Sequence, residues 1–237
     1  MRWLAIDTAT EACSAALALD DQVLERFEVA GRSHTERLLP QVHALLAEAG
    51  TTFAQLDGFV CGVGPGSFAG VRIGVSFVKG LALALDRPVV PVTSLAMLAQ
   101  PALDAGPANV MAAIDARMNE VYAGTFRADA AGLATPLSSA MVGAPERVRF
   151  DGDGPWTGVG TGWARHEAAL RAGLHGTIVR LDGEALPRAA TALRLARPVI
   201  VAGGAIPADA LAPVYLRDQV ALTLEEQRRA KAAGSLK

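Results

Sequence analysis

The sequence contains little cysteine and few aromatic residues. Two of its 237 residues are cysteines, Cys13 and Cys61, and aromatic residues make up 5% of the chain. So few cysteines exclude the dense disulfide framework of small secreted proteins. Because both lie in apolar stretches, we expect them to be buried as small apolar side chains. Free buried thiols are typical of a reducing compartment, so we predict a cytoplasmic protein.

A surplus of basic charge and long apolar runs are also lacking. Lys and Arg total 22 against 24 Asp and Glu, which gives a formal net charge of −2. Proteins that bind nucleic acid on their own usually carry a basic surface. If nucleic acid is a substrate, other subunits must therefore supply most of the phosphate contacts. No apolar run approaches the roughly 18 residues that span a bilayer, so we expect no signal peptide, transmembrane helix or membrane partner.

The four histidines are not paired at a spacing that binds metal. Two histidines four residues apart on a helix can bind one metal ion, but the residue four positions after His34 is Leu38. His43 is about half a turn out of phase with His34, and His166 and His175 are also nine residues apart. We therefore predict no metal site, and we expect His34 at the surface.

The first hundred residues predict an antiparallel meander followed by two strand–helix units. From apolar periodicity we place strands at 1–7, 13–19, 23–30, 57–63 and 88–92, and helices at 34–49, 68–85 and from 94 onward. This order predicts a mixed five-stranded sheet with helices on its faces. Ser33 and Glu36 have the spacing of a capping box, and Pro40 is expected to kink the helix that follows.

A glycine-rich turn, residues 64–66, lies between a buried strand and the helix at 68–85. Such a turn exposes backbone N–H groups at a helix N-terminus, where an anion can bind. Ser67 is placed to cap the helix. The helix is apolar on nearly all sides, so it must be buried on nearly all sides, and Gly70 and Gly74 would allow another backbone to approach closely. We expect one side to pack on the sheet and the other on a partner.

The second half of the chain repeats the first. Residues 110–115 match the first strand, with Asp115 in the place of Asp7, and 120–127 match the second strand. Residues 199–204 are similar to the later strand and glycine turn at 59–66. We interpret this as two copies of one supersecondary unit, the second shortened. We predict an N-terminal lobe at 1–104, a shortened C-terminal lobe at 105–221 and a charged helix at 222–237.

Several polar residues follow the repeated strands. Asp7 could hold a metal-bound water facing a nucleotide phosphate, but we favour a turn residue that accepts from nearby backbone N–H groups. For the second strand we favour a salt bridge within the loop, formed among Asp115, Arg117 and Glu120. The candidates for a vestigial nucleotide or phosphate site are Asp7, Thr8, Gly64, Gly66 and Asp115.

A dinucleotide site is a weaker alternative. The glycines at 64 and 66 with Ala69 fit a relaxed version of the Gly-x-Gly-x-x-Gly/Ala fingerprint. The acidic residue expected at the end of the next strand is absent, because residues 92–94 are Val, Thr and Ser.

Five stretches are similar to the bacterial TsaB (YeaZ) family of the actin, Hsp70 and sugar-kinase superfamily. They are residues 4–8, 34–40, 62–74, 115–117 with 120–122, and 213–217, and they span nearly the whole chain. Ala69 stands where threonine is usual in the family. The resemblance implies an α/β fold of two tandem actin-like (RNase H-like, ASKHA) lobes. It also implies a subunit of the machinery that makes N6-threonylcarbamoyladenosine at position 37 of tRNAs reading ANN codons.

In that machinery the resemblance implies a non-catalytic subunit that pairs with the catalytic paralogue TsaD and with the ATPase TsaE. The chain would have no cofactor of its own, would contact tRNA only through the complex, and could form a homodimer when alone. ATP and metal would belong to the partner subunits. We predict that the interface with TsaD comprises Leu38, Leu39, Val42, Leu46, Gly70, Val71, Gly74, Val75 and Val78.

Two other classes of function stay open from the sequence alone. One is an active ATP-dependent kinase or transferase that uses Asp7 and Asp115. The other is a dinucleotide-binding oxidoreductase.

Overall fold

The computed structural model describes residues 1–106, 108–150 and 154–217, which form two β-sheets layered with helices. The first sheet has the order β3-β2-β1-β4-β5, with an antiparallel meander joined to two parallel strands. This confirms the predicted mixed five-stranded sheet. Its elements are β1 (Arg2–Asp7), β2 (Ala12–Leu19), β3 (Gln22–Val29), α1 (His34–Glu48), β4 (Gly58–Gly62), α2 (Phe68–Leu85), β5 (Val89–Val92) and α3 (Ser94–Asp104).

The second sheet repeats this topology. Its order is β11-β10-β6-β7-β8, and β9 also pairs with β7. Its elements are β6 (Asn109–Arg117), β7 (Glu120–Ala128), β8 (Ala134–Pro136), β9 (Met141–Gly143), β10 (Pro155–Val159), α4 (Thr161–Ala172), β11 (Thr177–Asp182) and α5 (Ala189–Val201). Where the first copy has α1, the described residues of the second form only the short 3-10 helix Pro145–Arg147.

One part of the predicted repeat is wrong. Residues 199–204 do not form a strand and glycine turn, because 199–201 are the last residues of α5 and the chain turns directly afterwards. The true counterpart of the strand at 59–62 is β10, which is followed by Gly160 with a positive φ of 99°. An apolar run before two glycines fits a helix C-terminus as well as a strand end, and the pattern alone does not distinguish them.

The last helix of each copy packs on the sheet of the other copy. Helix α3 contributes Leu95, Leu98 and Leu103 to a core with Val110 and Phe126 of the second sheet. Helix α5 contributes Ala189, Leu193 and Ala196 to a core with Trp3 and Val60 of the first sheet. The predicted lobe boundary at 104 stays a prediction, and the one at 221 lies outside the described residues. The predicted helix at 222–237 lies outside the described residues.

Helices α1 and α2 cover the other face of the first sheet. Helix α1 begins after Ser33, whose side chain makes no capping hydrogen bond, so the predicted capping box is wrong. Ser33 has φ −93° and ψ 23° instead of the extended conformation that aims an N-cap side chain at the first turn. The helix runs from His34 to Glu48 without a break at Pro40.

Helix α2 is the one helix among the described residues that is long and apolar enough to cross a bilayer, with a mean hydropathy of 1.6. One face of it packs on the first sheet, where Val71, Val75 and Val78 are buried with residues of β1 and β4, but only 33% of the helix is buried within the described chain. The chain after α5 covers a further part of it. Lys79 Nζ donates to the backbone oxygens of Asp209 and Leu211, at 2.8 and 3.1 Å.

Candidate functional site

The turn between β1 and β2 contacts the N-terminus of α2 directly. The Ser67 amide donates to the backbone oxygen of Ala9 at 2.7 Å, and Thr8 Oγ1 donates to that of Gly70 at 2.7 Å. Ser67 Oγ accepts from the Gly70 amide at 3.1 Å, which confirms Ser67 as the N-cap. The Ala9 oxygen thus occupies the Ser67 N–H, one of the donors at the helix N-terminus that a phosphate would use.

The glycines of this region make room for that turn. A Cβ atom on Gly66 would lie 2.1 Å from the Ala9 oxygen, and one on Gly70 would lie 2.2 Å from the Thr8 oxygen. One on Gly74 would lie 2.7 Å from Thr8 Oγ1. The close backbone approach expected at Gly70 and Gly74 is therefore made by the chain itself, because the β1–β2 turn folds onto α2.

Replacing Gly70 with alanine is expected to destabilise the chain. The new methyl group would overlap a backbone oxygen that cannot rotate away, and overpacking of this kind costs about 1–3 kcal/mol. Gly80→Ala in the same helix is the matched control, since a Cβ there has nothing within 4 Å. We expect Gly80→Ala to raise the free energy of unfolding slightly. Urea unfolding of both variants measures the difference, and equal stabilities would contradict the packing described for Gly70.

Asp7 is fully buried beneath the glycine-rich turn. Its Oδ1 accepts from the Ala9 amide at 3.2 Å, as expected of a turn residue. Its Oδ2 has no hydrogen-bond partner among the described residues. This atom packs against Gly62, and a Cβ added to Gly62 would lie 1.9 Å from it. Burial raises the pKa of Asp7 from 3.8 to about 7, and the Ala9 hydrogen bond only partly opposes this. With no exposed surface, the carboxyl is closed off from a ligand at the molecular surface.

Both cysteines are free and buried, as predicted. Burial raises the pKa of Cys13 to about 11, and the charges of Glu28 and Asp7 add to the effect. Burial raises the pKa of Cys61 further, with Asp7 again contributing. Since the thiolate is the reactive form, neither cysteine is a nucleophile at neutral pH.

His34 is buried, so its predicted surface position is wrong. Its Nε2 lies 2.9 Å from the Thr10 oxygen and 3.2 Å from the Ala12 oxygen. Because a carbonyl oxygen only accepts, Nε2 must carry the proton. The signal was present in the sequence, since His34, Leu38 and Val42 share the helical spacing that faces the core. Among the described residues no group of three His, Cys, Asp or Glu side chains could hold a metal ion.

A cleft of about 560 Å³ lies between the two lobes. On the C-terminal side Asp115 forms ion pairs with Arg165 at 3.2 Å and Arg117 at 3.6 Å, and its amide donates to Thr161 Oγ1 at 3.1 Å. Glu120 pairs with Arg217, whose guanidinium also donates to a backbone oxygen. The predicted salt bridge of Asp115 with Arg117 is thus confirmed, whereas Glu120 pairs with Arg217, a residue outside the predicted cluster. Gly66 also lines this cleft, whereas Asp7 is buried behind it.

Most of the predicted interface residues face the chain's own core. Eight of the nine are buried against the first sheet or the β1–β2 turn, and Leu39, 45% exposed, is the exception. The eight are Leu38, Val42, Leu46, Gly70, Val71, Gly74, Val75 and Val78. The helical stripe that packs on the sheet is the more apolar one, which is why the sequence pattern selected it.

The outer face of α1 and α2 forms a different surface. An apolar groove of about 510 Å³ lies between the two helices. We call it the α1–α2 groove, and it is lined by Thr35, Leu38, Leu39, Arg72, Ile73, Ser76 and Phe77. Sequence reasoning missed five of these residues. Sequence reasoning could have found them by assigning the most apolar stripe of each helix to the core. The neighbouring, less apolar stripe would then be the candidate for an exposed surface.

Comparisons with known proteins agree with this architecture. Residues 26–150 match the family model of TsaD, tRNA N6-adenosine threonylcarbamoyltransferase. The tRNA threonylcarbamoyladenosine biosynthesis protein TsaB of Escherichia coli (strain K12) is 42% identical over 226 residues, which cover 93% of this chain and 96% of that protein. The TsaB protein of Haemophilus influenzae is 39% identical over 227 residues, which cover 92% of this chain and 94% of that protein.

A solved structure extends the similarity to three dimensions. YeaZ from Pseudomonas aeruginosa superimposes with a TM-score of 0.84 at 43% sequence identity, covering 91% of this chain and 99% of that one. The shared fold consists of two actin-like lobes with duplicated mixed sheets. With full-length relatives at this identity and the same fold, the chain belongs to the TsaB (YeaZ) family.

Proposed function

We propose that this chain is the non-catalytic scaffold subunit of the complex that installs the threonylcarbamoyl group on N6 of adenosine 37 in tRNAs reading ANN codons. A role in tRNA threonylcarbamoyladenosine biosynthesis is supported by the names of its full-length relatives. In this proposal the chain acts in the cytoplasm and pairs with catalytic TsaD, and the ATPase TsaE completes the complex. ATP and metal are bound by the partner subunits.

The observation that carries the proposal is the exposed α1–α2 groove. Leu39 is 45% exposed, and Ile73 and Phe77 of α2 are half-buried beside it. The family model that matches this chain is that of TsaD itself, and the match includes both helices. We therefore expect a TsaD chain to present a related pair of helices. Two such helix pairs can pack face to face about an approximate two-fold axis. The same geometry allows a homodimer when the chain is alone.

The candidate nucleotide site supports a non-catalytic role. Backbone oxygens of Thr8 and Ala9 pack closely against Gly70 and Gly66 at the N-terminus of α2, and Asp7 is fully buried. Asp115 is engaged by Arg117 and Arg165. An active kinase would need Asp7 or Asp115 free to hold a metal-bound water, and neither is arranged for it.

Reconstitution tests this proposal. Alone with Mg²⁺ or Zn²⁺, the purified chain is expected to show no ATP hydrolysis and no tRNA modification above background. Mixed with its TsaD paralogue, it should elute from size-exclusion chromatography as a heterodimer. Modification of tRNA should then require the chain together with TsaD, TsaE and a threonylcarbamoyl donor. Robust ATP hydrolysis by the chain alone, abolished by Asp7→Asn, would instead support the kinase hypothesis.

A further inference from the structure

Four arginines from four separate segments line the cleft between the lobes. Arg32 lies between β3 and α1, Arg117 in the β6–β7 turn, Arg165 on α4 and Arg217 in the last described residues. The carboxylates that line the same cleft are those of Glu11 and Asp115, and Glu120 beside it pairs with Arg217, which leaves four arginines against three carboxylates. The cleft is therefore locally basic, although the whole chain has a net charge of −2.

The ion pairs of the cleft leave positive charge uncompensated. Arg117 and Arg165 share the single carboxylate of Asp115, whose side chain is only 9% exposed. Arg32 is exposed and has no ion pair within the described part of the chain. Because guanidinium groups hydrogen-bond phosphate oxygens in a fixed planar geometry, this arrangement favours a phosphate-bearing ligand.

The exposure of the arginines indicates what kind of ligand fits. The Arg117 side chain is 78% exposed and that of Arg165 is 59% exposed, so their charged ends lie at the open rim of the cleft. A small nucleotide would be enclosed and its phosphates bound by free backbone N–H groups at a helix N-terminus, but at the N-terminus of α2 the Ser67 N–H already donates to the Ala9 oxygen. Exposed arginines along a rim suit a polymer backbone that passes over the surface.

We propose that this cleft contacts the phosphodiester backbone of the tRNA when the chain is part of its complex. The inference rests on the proposed function and adds to it a second surface, distinct from the α1–α2 groove. The cleft supplies a minority of the phosphate contacts, since the chain as a whole is not basic. The isolated chain is accordingly expected to bind tRNA no better than about 10⁻⁴ M at physiological salt.

The salt dependence of tRNA binding tests the proposal. The complex with TsaD would be prepared with the wild-type chain and with Arg32→Gln/Arg165→Gln. Its tRNA affinity would be measured by filter binding between 50 and 200 mM NaCl, a range over which the Debye length falls about twofold. Each lost phosphate contact should reduce the slope of log affinity against log salt by about 1. We expect the double variant to lower the slope by about 2 and the affinity roughly tenfold or more at 0.1 M salt.

Arg197→Gln is the matched control. Arg197 is 61% exposed and pairs with Asp21 at 3.2 Å. Arg165 is similarly exposed, at 59%, and pairs with Asp115 at the same distance. Arg197 differs in position, because it lies on α5, outside the cleft. It should leave slope and affinity unchanged. Circular dichroism and co-elution with TsaD establish that every variant folds and pairs.

Three results would overturn the proposal. One is normal pairing with an unchanged slope in the double variant, which leaves the proposed function intact. Another is a wild-type chain that does not pair with TsaD, which overturns the proposed function as well. The third has two parts. ATP or ADP raises the melting temperature of the wild-type chain but not that of the double variant, and tRNA binding is the same for both. That result would assign the cleft to a nucleotide.

Discussion

Phe77→Glu is expected to abolish pairing with the TsaD paralogue while the chain stays folded. Phe77 lines the α1–α2 groove and is only half-buried within the chain, so a charge there remains hydrated in the free protein. In the complex the same carboxylate would be buried without a partner, at a cost of several kcal/mol. We expect at least about a 100-fold loss of affinity, measured by titration calorimetry of the purified chains.

Two further substitutions separate lost pairing from lost folding. Val75 on α2 is 5% exposed and packs in the core. Val75→Glu is therefore expected to unfold the chain, which would abolish its circular dichroism signal. Val179→Glu, at a position 60% exposed on β11, should neither unfold the chain nor weaken pairing. If Phe77→Glu and Leu39→Glu both fold and both bind TsaD normally, the groove is not the interface.

Asp7→Asn is expected to stabilise the chain at alkaline pH and to remove much of the pH dependence of its stability. The pKa of Asp7 is raised from 3.8 to about 7 by burial, so the folded chain holds this proton more tightly than the unfolded chain. The contribution of Asp7 to stability is therefore fully present below pH 4. It is lost as the pH rises through about 7, which lowers the free energy of unfolding by about 4 kcal/mol.

The asparagine variant cannot ionise, so it should match the wild type near pH 4 and exceed it by up to about 4 kcal/mol at pH 8. Urea unfolding at several pH values measures this. Asp182→Asn is the control, because Asp182 Oδ1 also accepts the amide two residues ahead, from Glu184 at 3.1 Å, but Asp182 is exposed. A wild-type stability that does not fall between pH 4 and 8 would contradict the buried, unpaired state of Asp7.

Local patterns determined most of the elements and their order. Period-two and helical spacings of apolar residues predicted all five strands of the first sheet and the helices α1 and α2, because these spacings report which side of a strand or helix is buried. The match of Asp7 to Asp115 predicted the duplicated topology that the second sheet confirms. Ser67 was predictable as a cap because its hydrogen bond to Gly70 spans only three residues.

The tertiary structure alone decided which surfaces are free. An apolar stripe shows that a helix face is covered, but it does not show what covers it. The pattern therefore selects Val75 of the core as an interface residue and leaves out Phe77 of the groove. The same limit applies to Gly70, which makes room for Thr8 rather than for a partner, and to α5, which packs on the sheet of the other copy. These contacts join residues far apart in the chain. Their partners are set by how the two sheets and their helices pack together, and no local sequence pattern records that choice.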